Sequence, residues 1–176
     1  MPDIDVRTAE EGDRAAIRDL VRNAFAKTDT RGDDEVRVVD DSWDRGIVIE
    51  DLELVALARG DVIAHVMTAW GDLGGRPAAA VAPLAVAPAW QGRRIGTVLM
   101  VELLTRAEEH ELPLVALLGD PGYYRRFGFE PAHPLGIAYP PVGADSPYFL
   151  VRRLTAYDPS YQGDFVYGWE GSAEDP

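Results

Sequence analysis

Apolar positions recur along the chain first with a period of two and then with a helical period. Ile4 and Val6 alternate with polar neighbours, so residues 3–7 read as a short strand. Thr8 and Glu11 have capping-box spacing, ahead of Ile17, Leu20, Val21, Ala24 and Phe25, which share one helix face. Residues 27–34 break that pattern as a loop. Val36, Val39 and Trp43 then give an apolar edge to a second helix over Glu35 to Trp43. Leu52 to Ala58, the Gly60-Asp61 turn and Val62 to Trp70 predict an antiparallel hairpin. Gly74-Gly75 supplies another turn before a third run from Ala78 to Val86, in which Pro83 marks an edge or a bulge.

From Ile95 to about His110 the period is again helical, with Ile95, Val98, Leu99, Leu103 and Ala107 along one stripe. Leu114 to Leu118 is a short strand apolar enough for burial on both faces. A brief helix from Gly122 to Phe127 and strands near 136–139 and 148–154 complete the body. Residues 157–176 carry five acids and no base, yet Tyr157, Tyr161, Phe165, Tyr167 and Trp169 make them too aromatic for a solubilising tail. This stretch should pack on the body up to about Trp169 and fray afterwards; walling a substrate site is its functional alternative.

The length, 176 residues, suits one domain with a short tail. The absence of cysteine excludes disulfides and thiolate metal sites, and three scattered histidines argue against a metal. A net charge of −13 argues against nucleic acid and anionic membranes as partners and favours a cationic small molecule. The N-terminus MPDIDVRTAE lacks the order of a signal peptide, and no apolar run is long enough to span a bilayer. A soluble cytoplasmic protein is the expectation.

The chemically informative segment runs from Val81 to Met100. A strand ends at Val86, Gln91-Gly92-Arg93-Arg94-Ile95-Gly96 forms a turn, and a helix begins directly. A helix start leaves N–H groups unpaired and carries about half a positive charge, so glycines there can cradle a phosphate. Turn glycines and surface arginines at an ordinary helix start fit the same spacing. Neither a Walker P-loop nor a GxGxxG pattern is present.

LAVAPAWQGRRIG resembles the strand and turn of the GNAT family of N-acetyltransferases, whose signature is Q/R-x-x-G-x-G/A. Gln91, Ile95 and Gly96 fit it, and Arg94 stands where that family has glycine, a replacement that suits a residue of negative φ. GDPGYYRRFGF, from Gly119 to Phe129, resembles the segment after the fifth strand of the family and is most similar to a bacterial subgroup of predicted N-acetyltransferases. The resemblance covers residues 3–155, as an N-acetyltransferase domain with 156–176 an acidic, aromatic, partly packed extension. It implies an α/β (α+β) fold: a mixed, mainly antiparallel sheet of six or seven strands with splayed parallel central strands and about four helices. It also implies acetyl-CoA as cosubstrate, with no metal. Leu84, Ala85 and Val86 would pair with the pantetheine arm, and Gln91, Gly92, Arg93, Arg94, Ile95, Gly96 and Thr97 would hold the pyrophosphate. Tyr124 matches the tyrosine that protonates the departing thiolate, although its ring could equally serve packing. Tyr123 and Phe127, at i and i+4, are expected to pack together.

Transfer by direct attack in a ternary complex needs a neutral amine. Deprotonating a lysine-like amine of pKa ~10.4 at pH 7 costs about 4–5 kcal/mol. No carboxylate lies between Pro77 and Ile95, where the family often places its base. Glu35, Asp120 and His65 are the remaining candidates, with Asp120 better suited to capping the short helix and His65 to strand packing. The acceptor, a primary amine of a small molecule, is not named by the resemblance, and monomer and homodimer both stay open. A non-catalytic acyl-CoA-binding or regulatory module is the alternative function.

Overall fold

The computed structural model describes residues 3–170. Strands are β1 (Ile4–Thr8), β2 (Leu54–Ala58), β3 (Asp61–Leu73), β4 (Arg76–Val86), β5 (Leu114–Leu118), β6 (Glu130–Pro131), β7 (Ile137–Ala138), β8 (Phe149–Arg153) and β9 (Gly163–Tyr167). Helices are α1 (Arg14–Ala24), α2 (Asp33–Asp44), α3 (Ile95–Glu109) and α4 (Pro121–Tyr124). Hydrogen bonding orders the strands β1-β2-β3-β4-β5-β8-β6, with β9 on β3 and β7 on β9. The pairs β4–β5 and β7–β9 are parallel, in a sheet otherwise mainly antiparallel. This is the mixed α/β fold the resemblance implies, with nine strands among the described residues instead of six or seven. The extra strands are the two-residue β6 and the tail strand β9.

The described residues divide into two compact units, 3–68 with 82–106 and 69–81 with 107–170. In the first, β1 pairs with β2 from Ile4↔Ala58 to Thr8↔Leu54, and β2 with β3 through a tight hairpin. Ala58 faces Asp61, so the turn is Arg59-Gly60, one residue earlier than the expected Gly60-Asp61. Both turn residues have positive φ, 54° and 88°, the twist a two-residue hairpin needs. Ile17, Leu20 and Val21 of α1 pack with Val36 and Val39 of α2 over Val55, Met67 and Ala85. Thr8 belongs to β1 and does not cap the helix; instead the Glu10 N–H donates to the Asp13 carboxylate at 2.8 Å. Asp13 also accepts two bonds from Arg7, at 2.7 and 2.9 Å, which hold its carboxyl below the usual carboxylate range. On α3, Met100 joins Ile95, Leu99 and Leu103 in the core while Val98 is 51% exposed. At 100° per residue the buried arc from Ile95 to Met100 leaves Val98 on the far side, correcting the expected stripe.

In the second unit, β4 pairs with β5 only at Ala79↔Val115 and Ala80↔Ala116, although β4 itself continues through Pro83 to Val86. β5 pairs fully with β8, from Leu114↔Arg153 to Leu118↔Phe149. β9 pairs with β3 from Gly71↔Tyr167 to Leu73↔Phe165, so the aromatic stretch is a sheet strand. Phe165 and Tyr167 face inward beside Phe149 and Tyr139, and Trp169 stacks on Tyr167 at 4.5 Å. The Tyr139 hydroxyl donates to Glu170, and burial together with that carboxylate pushes its pKa up. The fraying expected after Trp169 concerns residues that, from 171 on, lie outside those described. No described helix is long and apolar enough to cross a membrane.

Candidate active site

The first unit carries the turn singled out by spacing. β4 ends at Val86, a single 3-10 turn covers Pro88–Trp90, and the Arg94 carbonyl accepts the first helical bond of α3, from Val98. Gln91 reaches back, its Nε2 donating to the Val86 carbonyl at 3.1 Å, which ties the turn to the strand end. The Arg93 guanidinium lies 5.1 Å over the Trp90 ring. Residues 91–94 are exposed, Ile95 and Gly96 are buried, and Thr97 is half-buried. Gly92 has φ 75° and open space where a Cβ would stand. Arg94 has φ 64°, not the negative value its replacement of glycine suggested. The turn needs a left-handed residue there, and arginine adopts it at a steric cost of about 1–2 kcal/mol. Leu84 and Val86 are half-buried and Ala85 is core. The N–H groups opening α3 have no intrahelical acceptor, so a glycine-containing cradle of donors there fits a phosphate.

A pocket of about 840 Å³ adjoins this turn within the same unit. Asn23, Arg59, Asp61, Trp90 and Arg93 line it. Arg59 was not among the residues picked out by sequence, since its only signature is a hairpin turn.

The second unit carries Tyr124. Asp120 caps α4, accepting from the Gly122 N–H at 2.8 Å, and its carbonyl accepts from the N–H groups of Tyr123 and Tyr124. Tyr124 stands edge-on to Tyr123, with ring centres 4.9 Å apart, and to Phe129 at 5.8 Å. Gly119 makes room for it: a Cβ there would lie 2.4 Å from the Tyr124 ring. Burial, with Tyr123 beside it, pushes the Tyr124 pKa up to about 12, so the hydroxyl keeps its proton at neutral pH. Tyr123 and Phe127 do pack together, at 5.6 Å.

Of the candidate bases, Asp120 is committed to its cap. His65 is fully buried, with Nε2 2.9 Å from Glu53 Oε1 and Nδ1 unpartnered. Glu53, only 8% exposed, also accepts from the Trp43 indole at 3.0 Å. Glu35, on α2, keeps a buried oxygen, Oε2, without a partner. Among the described residues no group of three or more His, Asp or Glu could hold a metal ion.

A family profile described as an acetyltransferase (GNAT) domain matches residues 5–132, well over half the chain. The uncharacterised N-acetyltransferase YhbS of Escherichia coli K12 is 35% identical over 147 residues, 81% of this chain and 82% of YhbS. The chain belongs to the GNAT family of acetyltransferases. The structure of E. coli YhbS in complex with CoA is similar to this GNAT chain at a TM-score of 0.84, with 28% identity over 97% of this chain and 92% of that one. A GNAT family acetyltransferase from Brucella melitensis, in complex with acetyl-CoA, gives 0.75 and 28% identity, covering 95% and 97%. The feature of this GNAT chain that sequence reading missed is the buried Trp43–Glu53–His65 network. Its one legible signal was an acid inside the apolar run Leu52 to Ala58.

Proposed function

We propose that the protein is an acetyl-CoA-dependent N-acetyltransferase that acts on a primary amine of a small-molecule acceptor by direct attack in a ternary complex. The observation that carries this reading is the exposed turn at the start of α3, where Gln91 is tied to Val86 and Arg93 to the Trp90 ring ahead of helical N–H groups that lack an intrahelical acceptor. The bound CoA and acetyl-CoA of the two GNAT relatives support it. In this reading Gln91 to Thr97 hold the pyrophosphate, with charge from Arg93 and Arg94. Leu84, Ala85 and Val86, beyond the short pairing of β4 with β5, offer backbone groups to the pantetheine arm.

Bound acetyl-CoA would supply the acetyl group as a thioester. Tyr124 serves the leaving sulfur. A thiol near pKa 8.5 and a hydroxyl near 12 make complete proton transfer uphill by about 5 kcal/mol. Tyr124 therefore keeps its proton until charge develops on the sulfur and passes it only as the carbon–sulfur bond breaks. The proton lost by the acceptor nitrogen balances the one the sulfur gains. Asp120 is engaged in its cap, while Glu35 Oε2 and His65 Nδ1 each lack a partner, and either group would serve to take the amine proton. Acidic α2, with Asp33, Asp34 and Glu35 in its first turn, suits a cationic acceptor.

The test is acetyl-CoA turnover with a panel of primary amines, reading free thiol and acetylated amine together. An enzyme yields both in equal amounts with at least one amine. A binding module shows acetyl-CoA-dependent thermal stabilisation and releases no thiol, and a protein of another function shows neither.

A further inference from the structure

The second unit holds a pocket of about 470 Å³ that the acetyl-transfer reading does not use. Gly128, Phe129, Glu130, Arg152, Arg153 and Tyr157 contribute to its lining. On β8 the side chains alternate, so Arg152 shares a face with the fully buried Leu150 and Arg153 shares one with Phe149 and Val151, and both line the pocket near the end of the strand. Gly128 has φ 79°, and a Cβ there would stand 2.2 Å from Arg152 Nη1 and 2.9 Å from Cζ. The missing side chain is thus what lets the Arg152 side chain come close against the backbone at Gly128.

The two arginines differ in how their charge is met. Arg153 Nε is 2.6 Å from Glu130 Oε1, and its guanidinium lies 5.8 Å over the Tyr157 ring. Glu130 is the acid of the pocket lining, and Arg153 engages it. Arg152 Nε is buried without a partner, and no described side chain hydrogen-bonds or ion-pairs with Arg152. Two guanidinium groups against one carboxylate leave the lining at +1, in a chain of net charge −13. Arginine cannot relieve this by losing its proton. A partly buried charge without a counter-charge is costly, and a planar guanidinium matches two oxygens of a carboxylate or phosphate.

We propose that this pocket is a binding site for a small oxyanion, a carboxylate or phosphate group, with Arg152 as its principal ligand. The assignment is independent of acetyl transfer. It is tested by thermal melting at constant ionic strength, with CoA present throughout to occupy the turn at α3. Inorganic phosphate is titrated in one arm and acetate in the other. The wild-type protein should gain a saturable rise of a few degrees with at least one of the two anions, and the arm that responds tells phosphate from carboxylate. Arg152→Gln, which also removes the unmet charge, should fold and lose the rise. Arg152→Lys, which keeps the charge without the fork, should need severalfold more anion and covers the case of an unfolded Arg152→Gln. No saturable rise with either anion, or an equal rise when Arg152 is replaced, would overturn the site.

Discussion

The turn at the start of α3 and the segment around Tyr124 are built on opposite principles. In the turn, side chains are spent on holding the backbone: Gln91 on the Val86 carbonyl, Arg93 on the Trp90 ring. Residues 91–94 are exposed, and Gly92 and the left-handed Arg94 set the path of the main chain. In the Tyr124 segment the main chain is consumed by the Asp120 cap, and a side chain is held by rings and by the absence of one at Gly119. A site made of backbone donors tolerates side-chain changes that leave its path intact. A site made of one hydroxyl is lost with that oxygen. The first design suits binding, and the second suits a step in which charge develops.

The sharpest separation is between neighbouring tyrosines. Tyr124→Phe keeps the packed ring and removes the proposed acid, so kcat should fall by about 10²–10⁴-fold with little change in cofactor KM. Tyr123→Phe, whose ring packs on Phe127 and lies under the Arg126 guanidinium, should change kcat by less than about threefold. A large loss at Tyr123 with none at Tyr124 would reverse their roles. Steady-state kinetics with any active amine decides this.

Charge at the turn should matter next. A charge pair at contact range in water is worth about 1 kcal/mol, and a reversal removes that attraction and adds as much repulsion, so Arg93→Glu with Arg94→Glu should weaken acetyl-CoA binding by well over about tenfold at low salt. The loss should shrink as ionic strength rises. Calorimetric titration at two salt concentrations checks it; a loss unaffected by salt would mean the turn itself has been distorted.

Of comparable size, but outside the site, is the Arg7–Asp13 pair. Hydrogen bonds to Arg7, then to the Glu10 N–H, lower the Asp13 pKa below 3.8 in the folded chain. The pair's contribution is therefore complete above pH 3.8 and lost as pH falls below it through the folded pKa. Asp13→Asn should cost about 1.5–3 kcal/mol at neutral pH, and urea unfolding of the variant should lose part of the wild-type decline below pH 4. An equal decline in both proteins would remove the pair from the acid response. The smallest effect is expected at Arg94→Gly, where relief of a left-handed arginine, less the added freedom of an unfolded glycine, should stabilise by about 0.5–1 kcal/mol. Urea unfolding reads it directly.

What could be read in the chain beforehand follows the range of the forces involved. The strand, glycine turn and helix from Val81 to Met100 are set by neighbours in sequence, and so are the Asp120 cap and the Tyr123–Phe127 pair. Thr8 is different: its spacing to Glu11 suits a cap, but pairing with Leu54 keeps it in β1. Strand β9 finds its partner about ninety residues away in β3, which no local pattern in an acidic, aromatic tail announces. The Trp43–Glu53–His65 network has the same origin. Val55 faces His65 across the hairpin, so Glu53, two residues back on that face, meets the imidazole. Arg94 shows the converse, a side chain whose ordinary backbone preference is overridden by the path the turn must take.

The division between a backbone that binds and a hydroxyl that acts is tested most directly by measuring acetyl-CoA Kd and kcat side by side for Gly96→Val and Tyr124→Phe. A crossover is expected. Gly96→Val, which crowds the N–H groups opening α3, should raise Kd in a folded protein, and Tyr124→Phe should keep the wild-type Kd while kcat collapses. Unaltered affinity in folded Gly96→Val, or a Tyr124→Phe protein that binds poorly and turns over normally once saturated, would contradict it.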